Sequence, residues 1–120
     1  MFAIYLAATL TIVDGGTFRA NGEYIRLLGI EAPDMPGHCP KRRACAPGYP
    51  HRSKESLRRA MMRPPITIVP IQRDKAGRTV AIVYAGGLNL SCEQLRHRSA
   101  VYRSEKDIGG RLARECRFAR

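Results

Sequence analysis

The stretch T-L-T-I-V-D-G-G-T-F-R-A-N-G-E-Y-I-R-L-L-G-I, Thr9–Ile30, divides at two turns into three short runs. Thr9–Val13 is β-prone and Asp14-Gly15-Gly16 supplies a turn; the first strand is expected over Ala8–Val13. A second strand starts at Thr17–Arg19, and Asn21-Gly22 is a strong hairpin signal. Glu23–Ile30 reads as a third strand. Side chains alternate along a strand, so Tyr24, Arg26 and Leu28 share one face and Ile25 and Leu27 the other.

Downstream, a Pro- and Gly-rich loop runs from Ala32 to Pro50. Leu57, Ala60 and Met61 share a face of a helix expected over Ser53–Met62, which Pro64-Pro65 stops. Ile66–Ile71 and Thr79–Tyr84 read as strands around an Asp74–Gly77 turn. Asn89 or Ser91 can cap a helix through about His97, and Ser91-x-x-Gln94 fits a capping box. Ile108, Leu112 and Cys116 at helical spacing mark a last helix, weakened by Gly109-Gly110. The order predicts a mainly β fold with helices (α+β). Its expected form is a five-stranded OB-fold β-barrel, with a helix between strands three and four and helices at the C-terminal end.

A length of 120 residues suits one domain, expected over 8–120. Residues 1–7 belong to the apolar start M-F-A-I-Y-L-A-A, which ends in small residues but has no basic lead. They read either as a signal-peptide remnant or as an extension of the first strand. No apolar run approaches the ~18 residues of a spanning helix, which excludes an integral helical membrane protein.

Lys and Arg number 21 against 10 acids, a net charge of +11. Residues 1–36 carry −2, whereas 37–63 carry +7 and 96–120 carry +5. Basic flanks thus bracket one acidic segment, and 17 of the 21 bases are Arg, whose planar fork suits phosphate. A polyanionic partner follows from this pattern, with a solvated basic face as the plainer alternative.

Cys39, Cys45, Cys92 and Cys116 form no C-x-x-C and lack zinc spacings. An even count in a small chain reads as two disulfides and an oxidising compartment, with buried reduced thiols as the alternative. Three pairings exist. Cys39 and Cys45 share one loop, while Cys92 and Cys116 lie on the apolar sides of two helices, which favours 39–45 and 92–116.

In I-E-A-P-D, Pro33 holds Glu31 and Asp34 in a bent loop, offering hard oxygen ligands for Ca²⁺ or Mg²⁺; an exposed acidic turn is the alternative. Arg26 lies within an apolar strand, where an unpaired guanidinium is costly. It is either ion-paired to a carboxylate or a phosphate ligand beside a cation. Arg78 in D-K-A-G-R is a second such candidate, or an ordinary hairpin arginine.

V-D-G-G-T-F (Val13–Phe18), I-R-L-L-G-I-E-A-P-D (Ile25–Asp34), D-K-A-G-R-T-V-A (Asp74–Ala81) and L-N-L-S-C-E-Q-L (Leu88–Leu95) together resemble the thermonuclease family of staphylococcal-nuclease-like domains. The likeness covers roughly residues 8–102, and the cysteine-bearing segments resemble its exported bacterial branch. The resemblance implies a Ca²⁺-dependent phosphodiesterase that acts on DNA and RNA and leaves 3′-phosphate ends. Arg26 and Arg78 would stabilise transition-state charge, and Asp34 would orient and deprotonate the attacking water. Glu31 and the Ala32 carbonyl would hold one Ca²⁺, with Asp34 and Asp14 completing the metal set. Lys75 and Tyr102, with the two arginines, would contact nucleic acid.

The family's D-G-D-T turn here has Gly16 in place of a metal carboxylate, which should weaken cation affinity. The usual Asp…Glu order is exchanged for Glu31…Asp34, the family's turn aromatic is Ala76, and His97-Arg98 stands where the family ends a helix with glycine. The resulting expectation is a secreted or periplasmic monomeric nuclease of reduced activity, acting on single strands, with no membrane partner. A catalytically inactive OB-fold nucleic-acid-binding domain is the alternative. No Ser/His/Asp set or P-loop is found in the sequence.

Overall fold

The computed structural model describes residues 3–5 and 10–116. Its elements in chain order are β1 (Ala3–Tyr5), β2 (Leu10–Asp14), β3 (Thr17–Ala20), β4 (Glu23–Leu27), β5 (Ile30–Glu31), α1 (Pro50–Ala60), β6 (Ile66–Arg73), β7 (Thr79–Ala85), β8 (Leu88–Asn89), α2 (Leu90–Arg96), β9 (Val101–Tyr102) and α3 (Arg111–Glu115). The main sheet runs β1-β6-β7-β4-β3-β2, with β8 added to β7. Within it, β2-β3-β4-β7-β6 is the OB-type order of first, second, third, fifth and fourth strand. Only β4 and β7 pair in parallel among the described ladders.

The α+β architecture and the placement of α1 between the third and fourth long strands match the expectation. The architecture is compatible with an OB-like fold; among the described residues no ladder joins β2 to β6, and one edge of β6 pairs with β1. Of residues 1–7, Ala3–Tyr5 thus form a strand, and the rest lie outside the described residues, as do 8 and 9 of the expected first strand.

The third strand is shorter than its apolar run. Gly29 adopts φ +77°, and a Cβ there would meet Leu112 Cδ2 at 2.7 Å, so the chain turns and resumes as β5, which pairs with β9. The alternation within β4 holds: Ile25 and Leu27 are buried with Phe18, Leu57, Ile66, Val83, Leu90 and Leu112. Leu28 instead joins a second cluster with Val80 and Ile82.

The helices differ in detail from the sequence reading. Pro50 at the first turn lets α1 begin three residues early, since that position needs no amide donor. The Ser91–Gln94 capping box does not form. Asn89 caps α2 by accepting from the Cys92 amide, while the Ser91 hydroxyl donates to the Leu28 carbonyl. The last helix breaks at Gly109 and Gly110, both in left-handed conformation, so Ile108 leaves the face of Leu112 and packs on the second cluster. Asp107 anchors this break: its carboxylate accepts from the Leu112 and Ala113 amides and from the Tyr102 hydroxyl.

Both disulfides form, Cys39–Cys45 and Cys92–Cys116, and no free cysteine remains among the described residues. They are consistent with an oxidising compartment. No helix among the described residues is long and apolar enough to cross a membrane.

Candidate active site

The Asp14–Gly16 turn is held by a buried glutamine. Gln94 Nε2 donates to the Gly15 carbonyl at 2.8 Å and to Ser53 at 3.0 Å, and its Oε1 accepts from Ser56. Gly15 packs so close to α1 that a Cβ would fall 1.7 Å from Ser53 Oγ, which only glycine tolerates. Asp14 Oδ1 accepts from the Gly16 amide, and the Gly16 carbonyl accepts from Leu27, joining the turn to the end of β4. The turn, Arg26 of β4, the β5 loop and Arg78 at the start of β7 therefore converge.

They line one polar pocket of about 40 Å³, whose walls include Asp14, Gly16, Arg26, Glu31, Ala32, Asp34, Arg43 and Arg78. A water needs roughly 10–15 Å³ of such space, so the pocket holds a few waters or one small ion, not an apolar ligand. Of the sequence candidates, only Lys75 and Tyr102 lie outside this wall. Lys75 is exposed in the Asp74–Gly77 turn, and the Tyr102 hydroxyl is tied to Asp107.

Arg26 is half-buried and makes no hydrogen bond or ion pair among the described residues, so the expected alternative of a satisfied ion pair does not hold. Burial, then the nearby Arg78 guanidinium, pulls its pKa below the ordinary arginine value. Arg78 is held differently. Asp74 accepts from its amide at 2.9 Å and from its Nε at 2.7 Å. Burial would raise the Asp74 carboxyl, but the Arg78 amide and guanidinium outweigh it and keep the pKa low. Asp74 is therefore the group that aims Arg78, a role the D-K-A-G-R spacing left unassigned.

Three further cations escaped the sequence reading. Arg103 Nε and Lys106 Nζ reach Glu31 Oε1 at 3.1 and 3.5 Å, and Arg43 pairs with Asp34 while standing 3.9 Å from Glu31 Oε2. Burial would raise the Glu31 carboxyl, yet Arg103, Lys106 and Arg43 together hold it below its ordinary value. The partners lie 72 and 75 residues from Glu31. Only a basic excess in 96–120 hinted at them.

Glu31 Oε2 is buried and has no hydrogen-bond partner among the described residues. This oxygen shares the pocket with Asp14, Asp34 and Ala32, hard oxygen donors of the kind a divalent cation takes, although the three acids are not gathered into one set of ligand atoms. The sulfurs of Cys39 and Cys45 also lie within 4.8 Å of an Asp34 oxygen, but disulfide sulfurs are not thiolate ligands. At Gly16 a Cβ would meet nothing nearer than Ala32 Cβ at 3.5 Å, so a side chain has room there. Three carboxylates and three guanidinia line the pocket. A bound dication would leave it positive, as an anionic phosphodiester requires.

A family model described as staphylococcal nuclease homologue matches residues 24–114. No curated protein matches the chain.

Proposed function

Because the chain belongs to the staphylococcal nuclease homologue family, whose members act on nucleic acids, we propose that it is a Ca²⁺-dependent nuclease. It would hydrolyse phosphodiester bonds of DNA and RNA. The observation that carries this is Arg26: a half-buried guanidinium without a hydrogen-bond or ion-pair partner among the described residues, in the same small pocket as three carboxylates. A purely structural arginine at that depth would be paired, since an unpaired buried cation is expensive.

Glu31, Asp14, Asp34 and the Ala32 carbonyl would hold the cation, which supplies a positive charge against a phosphoryl oxygen. Arg26 and Arg78 would donate to the non-bridging oxygens and stabilise the charge that grows on them. Asp74 keeps the Arg78 fork aimed. Asp34 would orient a water in line with the scissile P–O5′ bond and accept its proton, once Arg43 releases that carboxylate, while the 5′ oxygen leaves and takes a proton from solvent. The strongly basic chain draws in the polyanion. With its two disulfides, the protein is proposed to work as a monomer on single strands outside the cytoplasm or in the periplasm.

The test is digestion of single-stranded DNA with and without millimolar Ca²⁺. Activity should require Ca²⁺, and Arg26→Ala should lower kcat by about 10²–10³-fold, the cost of one lost oxyanion donor. Gly16 and the Arg43–Asp34 pair favour a second reading, a non-catalytic binding domain. Tight, salt-sensitive binding by an inert protein would establish it instead.

A further inference from the structure

We propose that a cleft beside the catalytic pocket is a separate subsite for single-stranded nucleic acid, taking a phosphate and base away from the scissile bond. It rests on the nuclease reading above for the direction of the strand. The cleft, about 340 Å³, is lined by Pro33, Tyr49, Arg52, Ser53, His97 and Arg98 among others, and no acid lines it. Pro33 lies between Ala32 and Asp34 in the chain, so one loop contributes to both the cleft and the catalytic wall, although the two share no lining residue.

Tyr49 is 70% exposed, unusual for a large aromatic ring, and the Arg52 guanidinium stands 5.0 Å from its centroid. An exposed ring braced by a cation is a stacking platform for a base of any sequence. Arg52 has no other described partner, and Arg98 has no described side-chain partner at all. Two guanidinia without a carboxylate partner among the described residues, Arg98 and the Tyr49-braced Arg52, suit a hold on a phosphodiester. The walls are also tied together, since Ser53 Oγ donates to the Ser99 carbonyl at 2.5 Å.

Arg98 supplies an independent argument. It ends α2 in the left-handed region at φ +56°, where its amide donates to Leu95 and the Ser99 amide donates to Gln94. Glycine takes that position without strain, and an arginine does so only against a Cβ clash. Its side chain gives nothing back to the fold. Strain retained at an exposed, unpaired arginine points to a ligand rather than to stability. By contrast, a larger cavity of about 550 Å³ along the α1–α2 face includes Glu55 and Glu93, which already pair with Arg58, Arg59 and Arg96.

The experiment measures binding in chelator, where no cleavage occurs, of fluorescein-labelled (dT)₈ and, by competition, of dTpdT, which carries one phosphate and is too short to fill both sites. Tyr49→Ala, Arg52→Ala and Arg98→Gly should each weaken (dT)₈ binding by about 5–20-fold, in line with losses for stacking and phosphate contacts. dTpdT should change by less than twofold. Arg52→Ala and Arg98→Gly should also reduce the salt slope by about one. Arg98→Gly should at the same time raise Tm by a few degrees, because glycine relieves the strain. A stabilised Arg98→Gly variant with undiminished (dT)₈ binding overturns the proposal. So does an equal loss for both ligands, or failure of the unaltered protein to bind (dT)₈ better than dTpdT. Hydrolysis of (dT)₈ by the unaltered protein in Ca²⁺ reports on the nuclease reading separately.

Discussion

Gly16→Asp restores a carboxylate to a pocket that has room for it. Gly16 is not in the left-handed region, and its Cβ would meet Ala32 Cβ at 3.5 Å, Ala32 N at 3.8 Å and Asp14 Oδ1 at 3.8 Å, all ordinary contacts. A unit charge about 4 Å from another is worth ~4 kcal/mol at an effective dielectric of ~20, and about twice that against a dication. Repulsion between the new carboxylate and Asp14 is of similar size to one unit pair, about 4 kcal/mol. Desolvating the added charge takes a further few kcal/mol. The remainder is about 1–2 kcal/mol, or roughly 5–30-fold in affinity. Calorimetric titration with Ca²⁺ should show that gain, and the Ca²⁺ concentration for half-maximal DNA digestion should fall in step. Without cation, the variant should be less stable by about a few kcal/mol, because the acids repel and the added charge is partly desolvated. A folded Gly16→Asp protein with unchanged or weaker Ca²⁺ affinity would refute the reasoning. Asp14, Glu31 and Asp34 would then not act as a cation site.

Arg43→Gln frees Asp34 and removes a cation 3.9 Å from Glu31, so Ca²⁺ affinity in the same titration should rise several-fold, about 3–10-fold for one weakened competing pair. Asp74→Asn keeps one acceptor but loses the charge that aims Arg78; kcat should fall by about 10-fold or more with KM nearly constant, as for a misplaced catalytic group. Glu31, Glu93 and Asp107 all have carboxyls held below their ordinary values of 4.5, 4.5 and 3.8. Such groups bind fewer protons folded than unfolded near those values, so their contribution is complete above the ordinary pKa and lost as pH falls through the folded one. Tm should therefore be flat in this respect above about pH 5 and decline below it, and Asp107→Asn should shrink the decline.

Much of the fold was legible because it rests on short-range rules. Alternation in Glu23–Leu27 puts Ile25 and Leu27 into the core and leaves Arg26 on the other face, whatever the rest of the chain does. Asn21-Gly22 closes a hairpin by its own backbone freedom, and Asn21 indeed takes φ +51°. Errors came where one residue had two local uses. Ser91 and Gln94 could cap a helix, but the buried Leu28, Gly15 and Ser53 carbonyls needed donors, and a buried unsatisfied carbonyl is worse than an uncapped amide at the surface. Glycines 109 and 110 won against the apolar spacing of Ile108 and Leu112, because both positions are left-handed.

By itself the sequence indicated the order of the long strands and main helices, the favoured disulfide partners and, through its resemblance, Asp14, Arg26, Glu31, Asp34 and Arg78 as candidates for one pocket. Tertiary structure alone decided their electrostatic state. It left Arg26 without an ion pair among the described residues, set Arg103 and Lys106 on Glu31 from the far end of the chain, and laid Arg43 across Asp34. The physical reason is range. Periodicity and turn chemistry act between neighbours a few residues apart, whereas the field at a carboxylate is set by whatever cations the whole fold brings within a few ångströms.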